Sequence, residues 1–332
     1  MIHLAVALDS AADPDARFTL DYWTGLIAEA ERGLLDFVTI EDPPSHPAGA
    51  PAHRLDAVLV AAASATATRH IGLVPTAALN HAQPLKVARE IATLDHLTGG
   101  RAGWRTQQTP ARPIPREELF TPAVQEMIAE RFDRAAELVR VVRALWDGVT
   151  EEEKLRELAP ERFADEWYTI TDPSTAPRAP QGHPVLFTLA HITVPFRFAA
   201  RAVDVVSVTP HDAASAAATL AEVRELQAEA GRAAERLHVF ADLVVFLGEG
   251  PDRGFASDAH IVTGDAAGVA DLIEEWHATG LSGFRLRPGR PPADVTAITR
   301  ELVPELQRRG LFRTAYPEAA SLRTLLGLDL PL

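Results

Sequence analysis

The sequence predicts an α/β fold: a (β/α)8 TIM barrel with an insertion between the fourth and fifth strands. Two observations carry this. Short β-branched runs alternate eight times with amphipathic helical stretches along the 332 residues, the pattern of successive parallel βαβ units. The rhythm breaks once, over residues 106–182, and then resumes. A third observation bears on the alternative, an open doubly wound sheet. That fold carries a glycine-rich turn after its first strand, and Asp9–Asp15 contains no glycine. Barrels of this length occur as one unit, so residues 1–332 are expected to form one domain, with 106–182 as a flap beside the barrel mouth.

Composition narrows the function classes. A formal net charge of -14 repels nucleic acid and anionic membranes. With no Cys, disulfides, thiolate metal sites and a Cys nucleophile are excluded. The opening MIHLAVALDSAADPD lacks the basic segment and long apolar core of a signal peptide. No run approaches the roughly 18 apolar residues of a membrane span. The expectation is a cytoplasmic protein engaging neither nucleic acid nor membrane.

Each element follows from local pattern. Ile2–Leu8 reads as the first strand. Leu20, Trp23, Ile27, Ala30 and Leu34 repeat at three to four residues, predicting a helix over Thr19–Arg32 that ends at Gly33. Phe37–Ile40 is a strand, Leu55–Thr68 an Ala-rich helix, and Ile71–Val74 a strand. The Pro84–Leu97 helix carries Leu85, Ala88, Ile91 and Leu94 on one stripe and stops at Gly99 and Gly100. The fourth strand, with Trp104, follows directly. Pro110, Pro113 and Pro115 then mark an irregular segment. Thr121-Pro122 opens a long helix, Ala123–Asp147. The acidic Glu151-Glu152-Glu153 and a Pro-rich loop over Pro173–Pro184 complete the interruption. Strands at Val185–Leu189, Val205–Val208, His238–Leu247 and Phe284–Leu286 then alternate with helices at Val194–Ala202, Asp212–Ala230, Ala266–Thr279 and Asp294–Arg308.

The stretch Leu94-Asp95, then Thr98-Gly99-Gly100-Arg101-Ala102-Gly103-Trp104-Arg105, resembles a signature of the bacterial luciferase-like flavin monooxygenases, with Arg105 where that family has Asn. The resemblance continues through Arg131–Trp146. It includes Ile261–Gly264, Val269-Ala270-Asp271 and Gly283-Phe284, which look like the family's seventh helix and eighth strand. It extends to a terminal helix at Leu302–Arg313 and a closing tail at Tyr316 and Leu322–Leu328. The branch most resembled contains the nitrilotriacetate, dibenzothiophene-sulfone and pristinamycin monooxygenases. What this implies is reduced FMN, supplied by a separate flavin reductase, that activates O2 against a small organic substrate; a deazaflavin is a variant of the same expectation. It also implies a homodimer packed through the Ala57–Thr68 and Pro84–Leu97 helices.

The resemblance implies cofactor contacts at Asp42, Leu79, Trp104, Arg105, Ile128, Phe132, Ile192 and Thr193. Asp42 matches an acidic flavin contact, although a loop Asp before Pro43 also serves as a turn cap. Trp104, with Trp23 and Trp276, reads equally as core. The family's phosphate turn, Ala-Gly-x-Ser-x-x-Gly after strand five, presents backbone N–H groups to an anion. Here it is Leu189-Ala190-His191-Ile192-Thr193-Val194-Pro195, and Pro195 has no N–H. Thr193 and Arg197 are the available substitutes, and Arg105 is another if it turns toward the phosphate. A family His and Tyr pair has become Ile128 and Phe132, and a Thr has become Leu79 beside Asn80 and His81. His81 and His191 are the candidates for acid–base catalysis, against the reading that each is a satisfied structural histidine. No His-Glu-x-x-His or supported His pair is present, so no metal is expected. Neither a Gly-x-Ser-x-Gly elbow nor a Walker loop occurs. Two functions follow: a reduced-flavin monooxygenase acting on an apolar substrate, or a diverged barrel that has lost tight flavin binding, uses no cofactor, and serves as a binding or accessory protein.

Overall fold

The computed structural model describes residues 1–9, 18–42, 54–79, 83–108, 117–118, 121–147 and 178–331. Strands β1 (His3–Leu8), β2 (Phe37–Ile40), β3 (Gly72–Ala78), β4 (Gly103–Gln107), β5 (Val185–Leu189), β6 (Val205–Val208) and β7 (His238–Leu247) pair in sequence order. A short strand β8 (His260–Gly264) precedes β9 (Gly283–Pro288). β9 pairs with both β7 and β1, and every pairing is parallel, so the ring closes on eight strands. β8 stands outside the ring. It lies along the second half of β7, Leu243–Leu247, beyond the point where β6 lets go. The sequence pattern predicts no strand over Ile261–Gly264; β8 is additional to the eight strands of the ring.

Helices cover the outside: α1 (Leu20–Arg32), α2 (Ala57–Ser64), α3 (Pro84–Thr98), α4 (Pro122–Asp147), α5 (Thr193–Ala202), α6 (Ala213–Glu229) and α7 (Ala266–His277). A terminal helix, α8, runs Ala293–Ala297, a π turn Ile298–Leu302, and Val303–Arg308; α9 (Leu322–Leu325) closes the series. Their starts are chemically marked. Thr19, Asp56, Asp212 and Asp265 each accept a backbone N–H in the first turn, satisfying donors that a helix N-terminus leaves open. α4 lies between β4 and β5, and the expected flap falls largely on residues outside the described ones. Among the described residues no helix is long and apolar enough to cross a membrane.

Side chains alternate across each strand. Leu4, Val6 and Leu8, Val38 and Ile40, Trp104, and Val206 and Val208 face the helices in one large core. The other set faces the lumen. Its lower layer is apolar: Ala5, Phe37, Val74, Val185, Phe187, Val205 and Phe240, plugged from below by Leu322, Leu326 and Leu328. Gly103 belongs to this layer because a Cβ there would meet Val74 Cγ2 at 2.8 Å and the Val185 carbonyl oxygen at 2.9 Å.

Most of the α3–β4 signature is scaffolding. Gly99 takes φ +64° and ends α3, a conformation glycine adopts at low cost. Arg101 is buried and donates to the carbonyls of Thr98, Ile71, Ala65 and Thr68. Asp95, also buried, accepts from the Ala102 N–H and from the Gln181 backbone and side chain. Gln181 in turn accepts the Arg323 N–H, so the signature ties β4, the approach to β5 and the closing tail together.

Candidate active site

Above the apolar layer the lumen becomes ionic. Thr39 and Glu41 continue the inward face of β2, Thr76 that of β3, and Arg105 and Gln107 that of β4. Asp242 lies on β7, and Arg285 and Arg287 on β9. Arg105 donates to Glu41 Oε2 at 2.9 Å, to Gln107 Oε1 at 2.7 Å and to Thr76 Oγ1 at 3.3 Å. Arg285 pairs with the other Glu41 oxygen, with Asp242 Oδ1 at 2.7 Å and with Thr39 Oγ1 at 3.0 Å. Its guanidinium lies over the Phe187 ring, 5.5 Å from the centroid. Arg287 links Asp242 to Asp258, at 3.3 and 2.9 Å. Asp258 then meets His191 Nε2 at 3.3 Å, and His191 Nδ1 meets Thr209 Oγ1 at 3.0 Å. A single chain of charge thus rises from the buried floor to the rim, where His191 is 42% exposed.

Three guanidiniums face three carboxylates in this chain. Burial would raise the Glu41 carboxyl, but Arg105 and Arg285 outweigh it and hold it below the usual carboxylate range. Asp258 likewise resists burial through Arg287 and His191 and is lowered to about 2. Burial pulls Arg105 down despite Glu41. Arg285 and Arg287 end above the ordinary arginine value, because Asp242 with Glu41, and Asp242 with Asp258, overcome burial. Opposite charges at hydrogen-bond distance favour the ionised forms. Among the buried polar atoms without a partner in the described residues are Arg105 Nε and Ser207 Oγ, the latter on the inward face of β6.

The residues expected at the cofactor site separate in space. Arg105 faces the lumen, but toward Glu41. Asp42 faces the other way: it accepts the Ala57 N–H at the start of α2, and burial raises its carboxyl above the usual value. Trp104 is buried on the helix side, its indole N–H donating to the Ala77 carbonyl at 3.0 Å. Leu79 is buried in the same core. Ile128 and Phe132 are half-buried on α4. Phe132 packs on Phe198 at 5.5 Å and, with Val194, Arg197 and Arg201, lines a groove between α4 and α5. Ile192 is 38% exposed at the α5 N-cap. Thr193 turns to α6, its hydroxyl donating to Glu222 at 2.6 Å. His191 reaches the lumen rim. His81 lies outside the described residues. Sequence reasoning missed Glu41, Asp242, Asp258, Arg285 and Arg287. The signal was present in alternation: Arg285 and Arg287 share one face of β9, and Asp242 interrupts the apolar run over residues 239–247 of β7.

A closed parallel barrel with polar groups gathered at the carboxyl ends of its strands has the architecture of a barrel enzyme. The chain matches the family described as luciferase-like monooxygenase over residues 1–253. It is 26% identical to component A of nitrilotriacetate monooxygenase from Aminobacter aminovorans, across 97% of this chain and 92% of that protein. The solved EDTA monooxygenase from Chelativorans sp. BNC1 superposes with a TM-score of 0.82 at 21% identity, covering 99% of this chain and 98% of that one. A riboflavin lyase, solved with modified FMN and riboflavin, gives a TM-score of 0.80 at 21% identity, over 99% and 96% of the two chains. The chain belongs to the luciferase-like monooxygenase family, a class of flavin-dependent monooxygenases.

A flavin has an uncharged ring with a hydrogen-bonding pyrimidine edge, and FMN adds a phosphate carrying up to two negative charges. The unpartnered Arg105 Nε and Ser207 Oγ suit the polar edge of such a ring. The turn before α5 does not suit the phosphate. The Ala190 N–H is used on the Ser207 carbonyl and the Phe196 N–H on the Ile192 carbonyl. Pro195 has none, and the Thr193 hydroxyl is committed to Glu222. The described residues therefore fit the ring end of the cofactor and not its phosphate.

Proposed function

We propose that the protein is a reduced-flavin-dependent monooxygenase acting on a small, apolar organic substrate at the C-terminal mouth of the barrel. The observation that supports this most directly is the ionic floor ending in His191, in a chain matched to that family over most of its length. A reduced flavin, when bound, supplies the electrons that activate oxygen. The protein's own groups have three tasks. The paired floor of Glu41, Arg105, Arg285 and Asp242 closes the lumen beneath the site. His191, held between Thr209 and Asp258, carries or releases a proton at Nε2. Ile192, 38% exposed beside His191, leaves apolar surface at the rim, and Phe132 adds more in the groove between α4 and α5, which favours an apolar substrate. On this reading residues 1–332 are one barrel domain with residues 106–182 inserted, a separate reductase delivers the flavin reduced, and the cytoplasmic protein works as a homodimer through α2 and α3. The test is oxygen uptake with a flavin reductase present, across a panel of small organic compounds. Uptake above the reductase alone supports the proposal, and none for any compound counts against it.

A second reading has its own support. The loss of the Pro195 N–H and the commitment of the Thr193 hydroxyl to Glu222 favour a diverged family member that has lost tight flavin binding and serves as a binding or accessory protein. No binding of any flavin by the purified protein at 100 times a typical micromolar constant (about 100 µM) would favour it over the enzyme.

A further inference from the structure

We propose that this chain selects a flavin without its terminal phosphate, an isoalloxazine on an uncharged ribityl chain, so that riboflavin binds at least as tightly as FMN. The inference rests on the flavin reading above and specifies which form the site takes.

The α5 turn disfavours a dianion in three independent ways. First, it offers few donors beyond the Thr193 and Val194 N–H groups. Of the first four α5 positions, Thr193, Val194, Pro195 and Phe196, Pro195 has no N–H and Phe196 donates to the Ile192 carbonyl. The N-cap residue Ile192 offers no side-chain hydrogen bond. Second, a carboxylate stands beside the turn. Glu222 lies 2.6 Å from the Thr193 hydroxyl, and two negative groups at such range repel. Third, the described residues place no spare cation in the lumen. Arg105, Arg285 and Arg287 are each matched to Glu41, Asp242 or Asp258, and redirecting one to a phosphate would strand a buried carboxylate. Nearby Arg201 is paired with Asp133 at 2.6 Å.

The same groups suit an alcohol. A hydroxyl both donates and accepts, so a ribityl chain can donate to Glu222 and accept from the Thr193 and Val194 N–H groups. Among the described residues near this turn a further cation is Arg197, exposed on the groove shared with Phe132.

The experiment titrates the full-length purified protein with oxidised riboflavin and with oxidised FMN, following flavin fluorescence. The expected result is a riboflavin constant equal to or lower than that of FMN. Glu222→Gln should then tighten FMN about tenfold, as expected for removing one charge close to a dianion, and loosen riboflavin several-fold, as expected when a hydroxyl exchanges a carboxylate acceptor for a neutral amide oxygen. FMN binding tighter than riboflavin in the wild-type protein overturns the proposal. If Arg197→Ala abolishes that advantage, the phosphate is held by Arg197. Failure of both flavins to bind overturns the proposal together with the flavin reading. Preference for FMN overturns the proposal alone.

Discussion

Glu41 binds Arg105 across the lumen at 2.9 Å, while its sequence neighbour Asp42 turns outward to the start of α2. Adjacent carboxylates on one strand end therefore do different work, and the difference is set by the pleat. Removing the Glu41 charge leaves Arg105 and Arg285 buried side by side. Glu41→Gln should cost about 3–5 kcal/mol, the usual penalty for breaking a buried ion pair. Asp42→Asn keeps an acceptor for the Ala57 N–H and should cost about 1 kcal/mol or less. Urea denaturation of the two variants checks the contrast; equal losses would contradict it.

His191 has both ring nitrogens occupied yet lies at the rim, so it is placed to exchange a proton with a bound molecule. If it carries the proton in turnover, His191→Ala should lower kcat/KM by about 10²–10⁴-fold. Its stability should change by about 1 kcal/mol, since only exposed hydrogen bonds are lost. Reductase-coupled turnover beside thermal unfolding checks both. A large stability loss with unchanged turnover would mark His191 as structural.

His238 sits in the lower lumen, donating from Nε2 to the Leu326 carbonyl at 2.7 Å. Burial, aided by the nearby His3, lowers it from 6.5 to about 4. Between those values the unfolded chain binds a proton that the folded chain refuses. Stability should therefore fall as pH drops from about 6.5 to about 4, by about 3 kcal/mol at most, and level off on either side. Denaturation curves across that window, repeated on His238→Gln, check the assignment: the slope should flatten in the variant.

Leu59 on α2 and Leu97 on α3 are 70% and 62% exposed, on the two helices expected to form the dimer. Charge at both positions should break an apolar interface there. The double variant Leu59→Glu, Leu97→Glu should run as a monomer by light scattering at micromolar concentration, where the wild-type protein runs as a dimer. A monomeric wild-type protein would remove this interface.

The barrel was readable from sequence because each unit announces itself: Asp212 and Asp265 cap helices where the pattern placed helix starts, and Val185–Leu189 and Val205–Val208 stand as expected. β8 was not readable, because His260–Gly264 buries one side chain of five and runs straight into the helix cap Asp265. At the site, resemblance led to Trp104 and Asp42, which the pleat turns away from the lumen. Strand alternation led the other way: Phe37, Thr39 and Glu41 form one face, and so do Gly283, Arg285 and Arg287. A buried charge on an inward strand position has to find a partner, and that argument needs the ring closed before the partner can be named.

The tail plug changes when the molecule can be considered finished. Leu322, Leu326 and Leu328 fill the lower end of the lumen, and the Leu322 N–H bonds the Gly100 carbonyl. During synthesis the first strands emerge long before this segment. The nascent barrel therefore waits with its apolar underside open, exposed to chaperones and to misassembly. A chain cut after Pro317 would stay in that unfinished state, even though its ring of strands and its ionic floor would all be present.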